Sequence, residues 1–310
     1  MSGDRSDPRE RPRDREGNPL CLLSVHAHPD DEASKGAGTV AMYSDAGVHC
    51  VLVCCTGGEA GDILNPAMDE PEVRADLHNV RMAELRASVD AIGYSALHLL
   101  GYHDSGMPDT EHNQRPDNFA NAPLDEAVGR LVAVIRAEKP QVVVTYGDDR
   151  EFYPHPDHIR VHEISAPAFE AAGDPDRFPD AGEPWQPSKL YFTGWSRRRV
   201  TALHEAHERL GLESPFARWF EGNFPDHDDR FTTMIDVGEY LHRRRAALLA
   251  HRTQVDPEGF WMRLPDDVVR ETFPWEEYVL ARSLVDTGTP EGEPEDDLFA
   301  GLRATVRAAG

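Results

Sequence analysis

The stretch PLCLLSVHAHPDDEAS, residues 19–34, decides the fold. Its first half is a short apolar run. Its second half packs two histidines and three acids into the seven positions from His26 to Glu32. A short apolar run bounded by a polar cluster reads as a strand buried on both faces. Such strands belong to parallel sheets covered by helices on each side. The polar cluster then stands at a strand's carboxyl end, where open α/β sheets build their sites.

The pattern repeats outward from this stretch. VHCVLVCCT (48–56), ALHLLG (96–101) and QVVVTYG (141–147) read as further strands. GAGTVAMYSDAG (36–47) reads as a helix packed through small residues and closed by Gly47. EVRADLHNVRMAELRASVDAIG (72–93) reads as one long amphipathic helix, with Val73, Leu77, Val80, Leu85, Val89 and Ile92 near one face. LDEAVGRLVAVIRAEKP (124–140) is a third helix. Strands alternating with helices predict a Rossmann-like α/β domain over about residues 19–172, its sheet mostly parallel with helices on both faces. The glycine-rich dinucleotide fingerprint is absent after the first strand, so no nicotinamide or flavin is expected. Beyond residue 172, SKLYFTGW (188–195), RFTTMIDV (230–237) and EEYVLARSL (276–284) read as strands, and 197–211 and 238–254 as helices. They extend the sheet and cap one side of it. The expected organisation is a disordered charged tail over 1–18, a single catalytic domain over 19–285 with a C-terminal extension from 173, and a mobile acidic tail over 286–310.

Composition excludes several classes. The 310 residues carry a formal net charge of −24. That balance argues against a nucleic-acid surface and against docking on anionic membranes. No 18-residue apolar run predicts a membrane-spanning helix. The N-terminus MSGDRSDPRERPRDREGN lacks the apolar core of a secretory signal. Cys21, Cys50, Cys54 and Cys55 all fall in apolar strands and read as buried free thiols, which fits a cytoplasmic location.

The clustered acids and histidines repel one another unless something positive sits among them. A second cluster, EFYPHPDHIRVHE (151–163), follows the fourth strand and repeats the His-Pro-Asp signature. Adjacent strands would bring the two together around a metal ion, for which zinc suits the ligand types. His28 and Asp31 lie one turn apart, and His158 can supply a third ligand. Fe²⁺ or another divalent ion shares this preference. Asp30 can then act as general base on the metal's water. His155, held by Asp157 and partly protonated, can stabilise an oxyanion, and Tyr153 can donate to the same oxygen. His26 falls on the opposite side of the strand from His28 and reads as a supporting or core residue. Glu32 reads as a ligand-orienting group or a helix cap. A His-x-x-Asp turn alone would equally be a helix cap or surface cluster; two such clusters after apolar strands point to a metal.

HAHPDDE followed far downstream by HPDH resembles the LmbE/PIG-L family of zinc-dependent N-deacetylases and amidases. Further stretches, TGGEAGDILNPAMDEPEV (56–73), DSGMP (104–108) and DPDRFPDAGEPWQPSKLYF (174–192), look like its mycothiol S-conjugate amidase branch. The resemblance implies hydrolysis of the amide between an S-substituted cysteine and glucosaminyl-inositol, giving a mercapturic acid, in detoxification or natural-product biosynthesis. It implies one zinc per chain on His28, Asp31 and His158. Asp30 then matches the base, His155 and Tyr153 the oxyanion-stabilising positions, and Asp157 the partner of that histidine. Lys35, Arg81 and Asp104 match substrate-contacting positions. On the residues alone, Arg81 is as readily a solvated helix arginine and Asp104 part of a turn. The implied partner is a small thiol-sugar conjugate, and a homo-oligomer is compatible with it. One departure stands out: Asp148–Phe152 puts charge and bulk where the branch has small residues. The rival readings are an N-acetylglucosaminyl-inositol deacetylase and a non-catalytic conjugate-binding relative.

Overall fold

The computed structural model describes residues 11–148, 150, 153–221 and 226–304. The opening apolar run forms β1 (Cys21–His26), buried at every position. A short helix α1 (Asp31–Ser34) and α2 (Ala37–Asp45) lead to β2 (His49–Thr56). Then follow α3 (Pro71–Ala75), α4 (Leu77–Ile92), β3 (Ala96–Tyr102), α5 (Leu124–Glu138) and β4 (Val142–Tyr146). After α6 (Pro156–Ala171) come β5 (Lys189–Gly194), α7 (Arg197–Arg209), α8 (Ala217–Glu221), β6 (Thr233–Asp236), α9 (Leu241–Ala250), α10 (Asp266–Thr272) and β7 (Trp275–Ser283).

The seven strands form one sheet in the order β3-β2-β1-β4-β5-β7-β6. β1 to β5 run parallel, and β7 lies antiparallel between β5 and β6. The expected mixed α/β architecture is therefore present, with the extension adding strands to the same sheet. Strand order reverses between β1 and β4, which pair directly. A crevice opens at such a switch point because the two following segments leave toward opposite faces. Successive β1 side chains feed opposite cores, as the two-residue strand period requires. Leu22 packs with Leu52, Leu85 and Leu248 on one face. Leu23 packs with Val53, Leu131 and Ile164 on the other. A third, smaller cluster joins Val200, Leu203, Phe216, Leu264 and Phe273 around α7 and α10.

Three sequence expectations change. The helix expected over 72–93 is two helices, because Asp76 leaves helical geometry (φ −129°, ψ 31°) and its carboxylate accepts a hydrogen bond from Asn79. α6 was not anticipated; Pro156 at its first turn and His155 as its N-cap start it inside the second polar cluster.

The described parts of the two ends, 11–18 and 286–304, are anchored to the fold and are not the free tails that their charge suggested. Residues 1–10 and 305–310 lie outside the described residues. Asp14, however, is buried, and one of its carboxylate oxygens accepts a hydrogen bond from Gln141 at 2.9 Å. At the other end Leu298, Phe299 and Leu302 sit in the core. Glu295 neutralises Lys189, which is fully buried, at 3.1 Å, and also accepts from Tyr191 and Thr233. A buried lysine is tolerated only when paired, so this acidic segment is held by the charge that composition alone read as solvating. Among the described residues, no helix is long and apolar enough to cross a membrane.

Candidate active site

Both polar clusters meet where β1 and β4 end. The chain leaves β1 through Asp30, whose φ of 117° is a left-handed conformation that a non-glycine residue adopts only under constraint. Glu32 Oε2 accepts from the Asp30 N–H at 2.9 Å, and its other oxygen accepts from Ser88 and pairs with His251 at 2.6 Å. Arg81 donates to the carbonyls of Pro29 (2.5 Å) and Gly58 and to Asp30 Oδ2 (3.1 Å). The strained turn is thus gripped from two sides.

His28 Nδ1 and His158 Nε2 each lie 3.4 Å from Asp31 Oδ2. That distance is long for a hydrogen bond. It matches the spacing of ligand atoms around a tetrahedral ion with bonds of about 2.0–2.1 Å. His28, Asp31 and His158 form one of two buried groups that could hold a metal ion; His28, Asp104, His155 and Asp157 form the other. The charges agree with a cation. Burial works against a charge on His28, yet Asp104, Asp157 and Asp31 outweigh it and lift its pKa well above the ordinary histidine value. Burial pushes His158 down to about 3, leaving a neutral imidazole with a lone pair to offer. Burial alone would lift Asp31, but Lys35, which bonds Asp31 Oδ1 at 2.6 Å, and His158 hold it well below the usual carboxylate range.

His28 is oriented from behind. Its Nε2 lies 3.2 Å from Asp157 and 3.6 Å from Asp104. Asp157 in turn accepts from the Ser105 amide at 2.9 Å and from the Ser105 hydroxyl. This corrects the expectation that Asp157 holds His155. Its carboxylate is committed to His28 and Ser105, and only its backbone N–H reaches His155, donating to Nδ1 at 3.2 Å. That bond fixes His155 as the Nε2–H tautomer. Burial, then the neighbouring His28, push the His155 pKa below its ordinary value. The residue is a neutral donor rather than the partly protonated one expected. Tyr153 meets His158 edge-on with ring centroids 4.8 Å apart and remains 44% exposed.

The substrate-contacting expectations divide. Lys35 lines the cavity described below. Arg81 and Asp104 do not; Arg81 spends its guanidinium on the turn, and Asp104 sits behind His28, capped by the Gly106 N–H at 2.8 Å. Burial opposes ionisation of Asp104, but His28 and Gly106 hold it below the usual carboxylate range. His26 is buried and bonded through Nδ1 to the Tyr146 hydroxyl at 3.0 Å, as its strand position suggested. Sequence reasoning missed Ser105 and His251. Ser105 was visible only as part of a DSG turn, and His251 pairs with Glu32 across 219 positions. Of the unusual loop, Asp149, Glu151 and Phe152 lie outside the described residues; Arg150 bridges Asp148 and Glu163 on the surface.

A cavity of about 630 Å³ opens above this centre. Asp30, Asp31, Lys35 and Tyr153 form its polar floor, and Trp195, Phe216, Trp219, Phe260 and Trp261 from the extension form an apolar wall. Asp30 is intermediate in exposure, and burial raises its carboxyl pKa, with Arg81 opposing. Such a group beside a ligand-accessible space is suited to accepting a proton.

Residues 23–169 match the family described as PIG-L, GlcNAc-PI de-N-acetylase. The chain is 44% identical over 292 residues to a mycothiol S-conjugate amidase of Streptomyces coelicolor, covering 92% of this chain and 98% of that one. It is 40% identical over 290 residues to a 1D-myo-inositol 2-acetamido-2-deoxy-alpha-D-glucopyranoside deacetylase of Geodermatophilus obscurus, covering 91% and 97%. In fold it is similar to the N,N'-diacetylchitobiose deacetylase of Pyrococcus horikoshii, with a TM-score of 0.59 at 16% identity over 90% and 87% of the two chains.

Proposed function

The chain belongs to the PIG-L/LmbE family of deacetylases and amidases, and from that premise we propose that it is a zinc-dependent amidase acting on mycothiol S-conjugates. The products would be a mercapturic acid and glucosaminyl-inositol. The observation that carries this reading is the cavity. An acetyl group occupies little of about 630 Å³, whereas a cysteinyl group with an apolar S-substituent uses the aromatic wall beside the polar floor.

His28, Asp31 and His158 would hold the ion, which when bound supplies a water acidified toward neutral pH and a Lewis acid for the carbonyl. Lys35 and Asp157 keep the first two in place. Asp30 takes the proton of the attacking water; its raised pKa lets it hold that proton for the leaving amine. His155 presents Nε2–H to the oxygen that becomes anionic, with the Tyr153 hydroxyl beside it. Lys35, with one face on Asp31 and the other toward the cavity, is positioned to meet the sugar-inositol side.

The deacetylase reading has its own support in the second relative, which uses the same kind of chemistry on an acetyl group. The deciding measurement is kcat/KM of the purified protein on a bulky mycothiol S-conjugate and on N-acetylglucosaminyl-inositol, with metal content determined alongside. The proposal expects preference for the conjugate and about one zinc per chain. Preference for the acetyl sugar would replace it with the deacetylase.

A further inference from the structure

Beyond the aromatic wall lies a second, smaller cavity of about 60 Å³. It shares Trp195, Pro215, Phe216, Leu248, Phe260 and Trp261 with the large cavity, so the partition between the two is built from side chains. Its remaining lining is unusually cationic for a chain with a net charge of −24. Arg199 stacks on Trp195, with its guanidinium carbon 4.3 Å from the ring centre, and Arg244 stands 5.7 Å over Trp261. His207 donates from Nδ1 to the Leu203 carbonyl at 2.7 Å, and its Nε2 is buried without a hydrogen-bond partner. Arg244 Nε is likewise buried and unpartnered.

Two other arginines, the buried Arg136 and the half-buried Arg245, show how this fold satisfies such groups. Arg136 donates to the carbonyls of residues 171, 172, 174, 177, 178 and 182. Arg245, which also lines the small cavity, bonds the Met262 and Leu264 carbonyls and Asp266. Among the described residues, the guanidiniums of Arg199 and Arg244 have no carboxylate or carbonyl within hydrogen-bonding distance. The acids whose charge reaches them are engaged elsewhere, Asp266 of the same lining with Arg245. Glu277 is committed to Arg198 and the Ser196 amide, and Glu276 to the Gly38 and Thr39 amides. Leaving the Arg244 Nε–H buried and unpaired beside a second guanidinium is costly unless an anion completes the set.

We infer that the small cavity is an anion subsite of the active-site pocket, and that its ligand is a carboxylate at the far end of a substrate whose apolar or aromatic body lies against Trp195, Phe216 and Trp261. This rests on the amide-hydrolase reading of the large cavity and narrows it. The preferred conjugates carry an S-substituent that is apolar in the middle and acidic at its tip. Arg199 and Arg244 are thereby specificity-determining residues, and the two tryptophans stacked on them form the wall through which the acid must reach.

The test uses two S-conjugates that differ only in a terminal carboxylate, for example S-(4-butylbenzyl) and S-(4-carboxybutylbenzyl) derivatives. The readout is the ratio of their kcat/KM values in the wild type, R199Q, R244Q and R244K. The ratio should favour the acid in the wild type, fall about tenfold or more in each glutamine variant, and recover in part in R244K. A ratio that favours the neutral conjugate, or that the glutamine variants leave unchanged, overturns the subsite. Should neither conjugate be hydrolysed, the function proposed above fails while the subsite is still tested. Tryptophan fluorescence quenching by 4-butylbenzoate should then be stronger than by 4-butylbenzyl alcohol, and weaker in R199Q and R244Q. Equal quenching by acid and alcohol overturns the inference even if the protein is an amidase.

Discussion

At the scale of single residues, the turn His28–Asp31 separates groups that look interchangeable in sequence. Asp30 and Asp31 are neighbours, yet burial lifts one carboxyl while Lys35 and His158 outweigh burial and lower the other. The two neighbouring carboxyls are thus driven in opposite directions. Asp30→Asn tolerates the left-handed backbone and should retain metal while losing about a hundredfold or more in kcat. Metal analysis and turnover on the same sample check this, and unchanged turnover would remove Asp30 from the mechanism. His158→Ala should instead lose the metal itself, read by atomic absorption after dialysis.

His26 makes a separate prediction about acid. Burial lowers its pKa from 6.5 to about 4, so the unfolded chain binds a proton more readily than the folded one. The stability associated with a neutral His26 is present above pH 6.5 and is lost as pH falls from there to about 4, by up to about 3 kcal/mol in all. Thermal unfolding of H26Q and wild type between pH 7 and 4.5 should diverge in slope, the variant losing less. Parallel curves would show that another group carries the acid sensitivity.

At the scale of elements, the outcome follows the range of the interactions. β1, β2 and β4 were legible because their apolar runs need no distant partner to identify them. The His28–His158 pairing was legible because each motif sits at the end of a recognisable strand. What stayed hidden depends on contacts that composition cannot display. Arg81 looked like a helix-surface arginine; only the β1–α1 turn packed against α4 reveals carbonyls for it to grip. Asp157 looked like the partner of its neighbour in sequence, but α6 turns its carboxylate toward His28, 129 positions away. The acidic end read as a tail because its core residues, Leu298, Phe299 and Leu302, are few and widely flanked by charge. Phe299→Ala should cost about 3–5 kcal/mol, measured by denaturant unfolding with the midpoint as readout. A cost under about 1 kcal/mol would return this segment to the status of a tail.

At the scale of the whole molecule, the parallel half of the sheet and the extension divide the labour. The first supplies the turn at the β1–β4 switch point whose His28 and Asp31 could hold a metal ion, and the second supplies the aromatic wall through Trp195, Phe216 and Trp261. Chemistry and selectivity therefore sit on different stretches of chain. Replacing Trp261 by alanine should raise KM for bulky conjugates by about tenfold, with a much smaller effect on N-acetylglucosaminyl-inositol. Initial-rate kinetics on both substrates test this, and equal losses on both would assign the wall a purely structural role.

The Lys189–Glu295 pair has a consequence for how the molecule comes into being. The lysine sits in β5, buried between strands, and its counter-charge lies 106 residues later. During synthesis the ribosome delivers the parallel strands first, and domains tend to acquire structure from the N-terminus as they emerge. Here β5 cannot settle with its ammonium neutralised until Glu295 has left the exit tunnel. The nascent enzyme must therefore wait, with one strand position held open, for a residue made 106 positions later.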